Sequence, residues 1–155
     1  MEKIIKIHLK EINDYKNTYN EEILSYNLSN YILEELKGID TNQNIKFNIS
    51  SDFYMSEQEK NNLVDMIRNN FGADISEIMN LAKKQKLLNY SILLIATILI
   101  VIYSLLEIKL LAQFILIFGW VLLSESICNF LYKGIENKHK ISRRKQIVNA
   151  KVIFK

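Results

Sequence analysis

The sequence predicts an α+β membrane protein: a small β-α-β-α domain, a two-helix transmembrane hairpin and a returning C-terminal strand. Three observations predict this fold class. Apolar residues alternate with polar ones in two short segments, apolar residues recur at helical spacing after each of these segments, and one long stretch is almost entirely apolar. The predicted domains are a cytosolic α/β domain at 1–86 with a stem helix from about residue 74, the hairpin at 87–132, and a basic cytosolic tail at 133–155 that ends in a strand joining the N-terminal sheet.

The first strand and helix follow from two different spacings of apolar residues. Within residues 3–10, Ile5, Ile7 and Leu9 alternate with polar residues, which predicts a half-buried strand. A helix is then expected from about Asn20 to Lys37, because its apolar residues recur at helical spacing, and Gly38 is a typical stop signal.

The second strand and helix repeat this order. Residues 44–50 alternate again, and the right-handed crossover rule predicts that the two strands run parallel. Ser56 and Glu59 have the spacing of a capping box, which predicts the start of a second helix ending at Gly72. A third helix is expected from Asp74 into the hairpin, and residues 147–154 alternate as a terminal strand would.

The apolar stretch is long enough for two crossings of a bilayer. Residues 87–106 and 110–132 each approach the ~20 residues that span a hydrocarbon core. The turn is expected at Glu107-Ile108-Lys109, which carries the charges in the middle of the stretch. The alternative, a buried helical hairpin in a soluble protein, requires an apolar partner surface that 155 residues do not supply.

Flanking charges predict the orientation and the compartment. Cationic residues precede the first span and follow the second, so both termini are expected in the cytoplasm and the protein in the cytoplasmic membrane. No signal-peptide pattern is seen at the N-terminus. The residues expected to contact anionic lipid headgroups are Lys133, Lys138, Lys140, Arg143, Arg144 and Lys145.

Charge and composition also limit the classes of partner and cofactor that the sequence predicts. Residues 1–86 hold eleven Lys/Arg and fourteen Asp/Glu, whereas residues 133–155 hold eight Lys/Arg and one Glu, which predicts different neighbours for the two segments. Nucleic-acid binding by the basic tail is disfavoured because the domain is acidic. Cys128 is the only cysteine of the sequence, so an intrachain disulfide is not possible. With His8 and His139 far apart in sequence, no metal-ligand set or cofactor is expected.

Glu125 is the sharpest functional candidate. It lies near the cytoplasmic end of the second predicted span with Ser124, Ser126 and Asn129. If the hairpin turns near Ile108, Asn89 and Ser91 of the first span lie at the same level. A carboxylate there is expected to contact another span or subunit, or to sense protons or ions. The alternative is a carboxylate that reaches the interface and pairs with Lys86 or Lys133. Gly119 similarly indicates either close helix approach or ordinary packing.

No enzyme is expected from the remaining titratable residues. His8 with Glu11 and Asp14 has no accompanying nucleophile, Gly-rich loop or paired motif. An enzymatic activity therefore ranks third among the functional hypotheses.

Short motifs from Tyr31 onward resemble those of small bacterial membrane proteins that have no assigned activity. The matching residues are Tyr31-Ile32, Ile67-Arg68 followed by Phe71, Gly119-Trp120-Val121 with Glu125, Phe130-Leu131, and Ala150-Lys151-Val152 after the basic stretch. The resemblance covers roughly residues 31–155, and Ser126 stands where the family pattern has proline. It implies an α/β domain before a transmembrane hairpin and a basic tail, and it implies no mechanism.

Two functional hypotheses remain open. In the first, the cytosolic domain of a two-pass, homo-oligomeric membrane protein recruits or senses a cytosolic protein partner. In the second, subunits assemble so that Glu125 and its polar neighbours line a conduit, and the protein is an effector that makes the bilayer permeable.

Overall fold

A computed structural model describes residues 3–105, the backbone of residues 109–110, and residues 111–155. Most of the predicted turn, at residues 106–108, lies outside this described part. The elements in chain order are β1 (Lys3–Leu9), a short 3₁₀ helix (Ile12–Asp14), α1 (Tyr26–Glu35), β2 (Ile45–Ser51), α2 (Glu57–Leu105), α3 (Lys109–Val148) and β3 (Lys151–Phe154).

The three strands form one parallel sheet in the order β1-β2-β3. Phe47 on the central strand pairs with Ile5 on one side and Val152 on the other. The alternation that predicted β1 and β2 is observed, because every second residue is buried from Ile5 to Leu9 in β1 and from Ile45 to Ile49 in β2. The predicted α+β class and the returning C-terminal strand are therefore confirmed at the level of the fold.

One face of the sheet packs on apolar residues from all three helices. The largest fully buried side chains of the core between the sheet and the helices include Phe47 from β2, Ile32 from α1, Phe71 from α2 and Ile147 from α3. Each strand lies beside the one that precedes it in the chain, in the order β1-β2-β3. Because crossovers between parallel strands are right-handed as a rule, this order places all connecting helices on the same face of the sheet. This face holds the hydrophobic core.

The first helix is shorter than the sequence predicts. It begins at Tyr26 rather than near Asn20, because Ser25 caps it: the Ser25 hydroxyl accepts from the Leu28 N–H at 3.3 Å. The preceding segment instead forms an antiparallel bridge between Lys16 and Leu24. Gly38 follows the helix with a φ of +83°, a conformation that side chains with a Cβ rarely adopt.

The second helix begins as predicted and ends elsewhere. The Ser56 N–H donates to the Glu59 carboxylate at 2.8 Å and the Glu59 N–H donates to the Ser56 hydroxyl at 3.3 Å, which confirms the capping box. The prediction that Gly72 ends this helix is wrong, because α2 continues without a break through Gly72 and Asp74. Fully buried Phe71 packs in the core beside this glycine and outweighs its modest helix penalty of about 1 kcal/mol.

The capping box predicts a pH dependence of stability. Hydrogen bonds from the Ser56 N–H and hydroxyl hold the pKa of Glu59 below its ordinary value of 4.5. A lowered folded-state pKa stabilises the fold above pH 4.5, and this contribution is lost as the pH falls through the folded-state pKa. We expect Glu59→Gln to destabilise the chain at neutral pH and to have little effect in acid.

Urea unfolding midpoints of the parent and of Glu59→Gln across this pH range test that expectation. Glu57→Gln is the matched control, because Glu57 is the neighbouring acid of the same first turn and lies outside the capping box. A Glu59→Gln effect that is the same at neutral and acid pH would contradict the assigned cause.

The chain divides into two compact units. The sheet unit comprises Met1–Glu77 and His139–Lys155, and the helix pair comprises Ile78–Lys138. Within the sheet unit, residues 1–77 hold eight Lys/Arg and fourteen Asp/Glu, whereas residues 139–155 hold six Lys/Arg and no acid. The charges of the two segments cancel within this unit, and different neighbours for the acidic domain and the basic tail stay a prediction.

The C-terminal basic segment is helical over most of its length. The predicted strand at 147–154 is observed only at Lys151–Phe154, because Ile147 belongs to α3 and is buried in the core. Arg144 of this segment donates to Asp74 at 2.8 Å, and both side chains are shielded from solvent over most of their surface. From His139 onward, the segment is therefore part of the folded sheet unit.

Candidate functional site

Small and polar residues at seven-residue intervals line the contact inside the helix pair. Asn89 and Ala96 on α2 are buried, as are Ala112, Gly119 and Ser126 on α3. A seven-residue repeat keeps one face of a helix against its partner through a slight left-handed supercoil. We call these five residues the seam. Asn89, Gly119 and Ser126 were singled out from the sequence, whereas the repeat that joins them to Ala96 and Ala112 was missed.

Gly119 marks a close approach of the two helices. A Cβ atom placed there would lie 3.1 Å from Ile100 Cγ1, 3.5 Å from the Ala96 carbonyl oxygen and 3.6 Å from Leu99 Cβ. The first distance is shorter than an ordinary van der Waals contact. Of the two interpretations of Gly119, the structure shows the close approach.

A hydrogen bond crosses the seam between the two helices. The Ser126 hydroxyl donates to the Asn89 carbonyl oxygen at 3.0 Å, and both residues are buried. A buried hydroxyl with a partner avoids the cost of an unsatisfied polar group, which would be largest in apolar surroundings. Ser126 and Asn89 are thus the two predicted polar residues that the fold brings into direct contact.

Large apolar side chains cover the outside of the helix pair. Only 11% of the most apolar window of each long helix is buried within the structure. The exposed residues include Leu94, Val101, Phe118, Trp120 and Phe130. By length and composition both helices are able to cross a membrane. The packing is the reverse of a soluble core helix, since the small residues face inward and the bulky ones outward.

Glu125 lies on this outer surface. It is exposed, and its side chain forms no ion pair or hydrogen bond with the described side chains of residues 3–105 and 111–155. At 100° per residue it points about 100° away from the Ser126 seam position. The predicted pairing of Glu125 with Lys86 or Lys133 is not observed in the described part of the chain.

The other predicted polar residues do not form one cluster with Glu125. The Ser91 hydroxyl donates to the Leu87 carbonyl of its own helix at 3.2 Å, as Thr97 does to Leu93 at 2.9 Å. Ser124 is exposed and Asn129 is half-buried. The fold therefore separates two sets: Asn89 and Ser126 in the seam, and Glu125 with its neighbours outside it.

The basic residues predicted to contact lipid headgroups differ in their exposure and in the contacts that their side chains make. Lys133 and Lys138 are exposed on α3 within the helix pair. Arg143 donates to the His139 ring at 3.1 Å, and Arg144 forms the ion pair with Asp74. Lys140 has a partner in the structure and Lys145 is exposed. Contact of this group with lipid headgroups stays a prediction.

The His8 ring contacts the side chains of Ser50 and Asp52. Its ring lies 3.0 Å from the Ser50 hydroxyl through Nδ1 and 3.3 Å from the Asp52 carboxylate through Nε2, at the carboxyl ends of β1 and β2. Sequence analysis missed these partners because they are more than 40 residues away. More than half of the His8 and Asp52 side chains is exposed to solvent.

Asp14 has a local structural role. Its carboxylate accepts from the Lys10 N–H at 2.6 Å and the Glu11 N–H at 3.1 Å. These bonds, led by the one from Glu11, lower the pKa of Asp14 below its usual value. Over residues 3–105 and 109–155, no group of three or more His, Cys, Asp or Glu residues is arranged to hold a metal ion.

Comparison of the chain with protein-family models, with curated proteins and with solved structures finds no match. The resemblance to small bacterial membrane proteins therefore has no support from these comparisons and stays a prediction. The geometry of the helix pair and of the sheet unit carries the functional argument.

Proposed function

We propose that this protein is a two-pass membrane protein whose sheet unit is an interaction or sensing module for a cytosolic partner. The observation that carries the first half of the proposal is the packing of the helix pair, with its small residues inward and its bulky apolar residues exposed. Contiguous exposed apolar patches above a few hundred Å² are rare on soluble monomers. A bilayer covers such a surface without any further protein.

The polar atoms of the seam fit this environment. The Ser126–Asn89 hydrogen bond satisfies a buried hydroxyl inside the pair, as helices in lipid require. Three lysines precede the first span and Lys133 and Lys138 follow the second, which favours cytoplasmic termini. The sheet unit, formed by the two ends of the chain, would then lie in the cytoplasm.

Membrane fractionation and native mass test this proposal. We expect the chain to remain in the membrane pellet after alkaline carbonate extraction and to require detergent for purification. Its native mass in detergent should correspond to more than one copy. A chain that dissolves without detergent would contradict membrane insertion, and a monodisperse monomer without any binding partner would count against the interaction module.

The second candidate is a membrane effector that makes the bilayer permeable. The observation that favours it is Glu125, a carboxylate on the outer surface of an apolar helix pair that pairs with none of the side chains the structure describes. A charge in lipid costs a few kcal/mol unless it faces water or a partner. An assembly of several copies would provide both, with Glu125 facing a shared polar path.

Membrane potential in expressing cells separates the two candidates. If the effector hypothesis is correct, induced expression depolarises the cells, and Glu125→Leu abolishes the depolarisation while the protein level is unchanged. Gln113→Leu is the control, because Gln113 is another exposed polar residue of the same helix. No depolarisation by the parent chain would exclude the effector function.

A further inference from the structure

We propose that the uncovered face of the sheet is a docking site for an acidic amphipathic helix of a partner protein. This inference rests on the proposed interaction module and names the chemistry of its partner. The first argument is topological. The residues that the three helices contribute to the hydrophobic core cluster with Phe47 on one face of the sheet, so the opposite face has no helix against it within the described residues. Parallel sheets ordinarily have helices on both faces.

The register defines the residues of this uncovered face. Its first row across the three strands is Ile4, Lys46 and Lys151, and its second row is Lys6, Asn48 and Ile153. His8 and Ser50 complete it at the carboxyl end of β1 and β2. We call these eight residues the open face. None belongs to the hydrophobic core, and each is exposed or half-buried.

The charge of the open face selects an anionic occupant. Lys6, Lys46 and Lys151 come one from each strand, and none of them forms an ion pair with the described side chains of residues 3–105 and 111–155. Lys46 and Lys151 are direct neighbours, and like charges at paired positions destabilise a sheet. The Asp52 carboxylate, which follows β2 directly, contacts His8. Among the side chains that the structure describes, no carboxylate pairs with these three lysines, so they are available to a carboxylate of a partner.

The apolar residues of the open face indicate a helix. Ile4 and Ile153 provide apolar contacts beside the lysines, which suits a helix with a leucine stripe flanked by acidic residues. A second copy of the chain would place lysines against lysines. Nucleic acids bind sheet faces through stacking on aromatic rings, and the open face has no Phe, Tyr or Trp.

A designed acidic amphipathic peptide tests the proposal on the full chain in neutral-lipid nanodiscs. We expect saturable binding that weakens at high salt and falls by about tenfold or more in the variant Lys6→Glu, Lys46→Glu, Lys151→Glu. The matched control reverses three exposed cations of the same unit outside the face: Lys10→Glu, Lys37→Glu and Arg68→Glu. The control should bind like the parent. A scrambled peptide of the same composition should bind more weakly.

Lysine acylation gives a second readout that does not depend on folding of the variants. The peptide should slow acylation at Lys6, Lys46 and Lys151 and leave Lys10 and Lys37 unchanged. Absence of saturable binding by the parent, an equal loss in both triple variants, or tighter binding to single-stranded RNA or anionic vesicles would overturn the proposal. If the parent inserts into membranes and recovers a partner but ignores the peptide, this inference fails and the proposed function stands.

Discussion

Replacement of Phe47 by alanine should lower the free energy of unfolding of the sheet unit by about 3–5 kcal/mol, the range for a fully buried phenylalanine. Phe47 is 0% exposed on the central strand and packs in the core that joins all three strands to the helices. Its loss leaves a cavity that neighbouring strands cannot fill without breaking their register. Hydrogen exchange of the β2 amides in detergent-solubilised full chain measures this change.

Tyr54→Ala is the control for this substitution. It also removes an aromatic ring, but Tyr54 is 90% exposed. We expect its effect to be small. A Phe47→Ala effect no larger than that of Tyr54→Ala would show that the sheet is not built around this residue.

Gly119→Leu should separate or displace the paired helices and destabilise them by about 1–3 kcal/mol, as overpacking of a close contact does. Its Cβ alone would meet Ile100 Cγ1 at 3.1 Å, and the rest of the side chain has no room in the seam. Crosslinking between cysteines introduced at Asn89 and Ser126, with Cys128 replaced by serine, measures the approach of the helices. The crosslink yield should fall sharply in Gly119→Leu.

Gly134→Leu is the matched control for the seam. Gly134 belongs to the same helix, and a Cβ there has no atom within 4 Å. It should crosslink like the parent. Equal yields in all three proteins would contradict a close contact at Gly119.

The sequence was sufficient to predict the elements whose burial has a simple period. Alternation in β1 and β2 and the capping box at Ser56 and Glu59 identified these elements almost to the residue. The parallel order followed from the handedness of crossovers. These signals are local, so a single chain is enough to show them.

The missed features depend on long-range contacts. Residues 133–148 have no continuous apolar stripe, so their helix was not predicted; it is fixed by burial of Ile147 and by the ion pair from Arg144 to Asp74, 70 residues away. The seam was missed because alanine, glycine and serine carry little hydrophobic signal, although their seven-residue interval was visible in the sequence. The contact of His8 with Ser50 and Asp52 needed the register of β1 and β2.

The central claim is that lipid surrounds the helix pair and that the chain crosses the membrane twice. A reporter active only outside the cytoplasm, fused in full-length protein at Glu107, tests it most directly, with fusions at the two termini as controls. The account predicts activity at Glu107 and none at either terminus. A cytoplasmic reporter at Glu107 would contradict the two-pass arrangement and the function proposed from it.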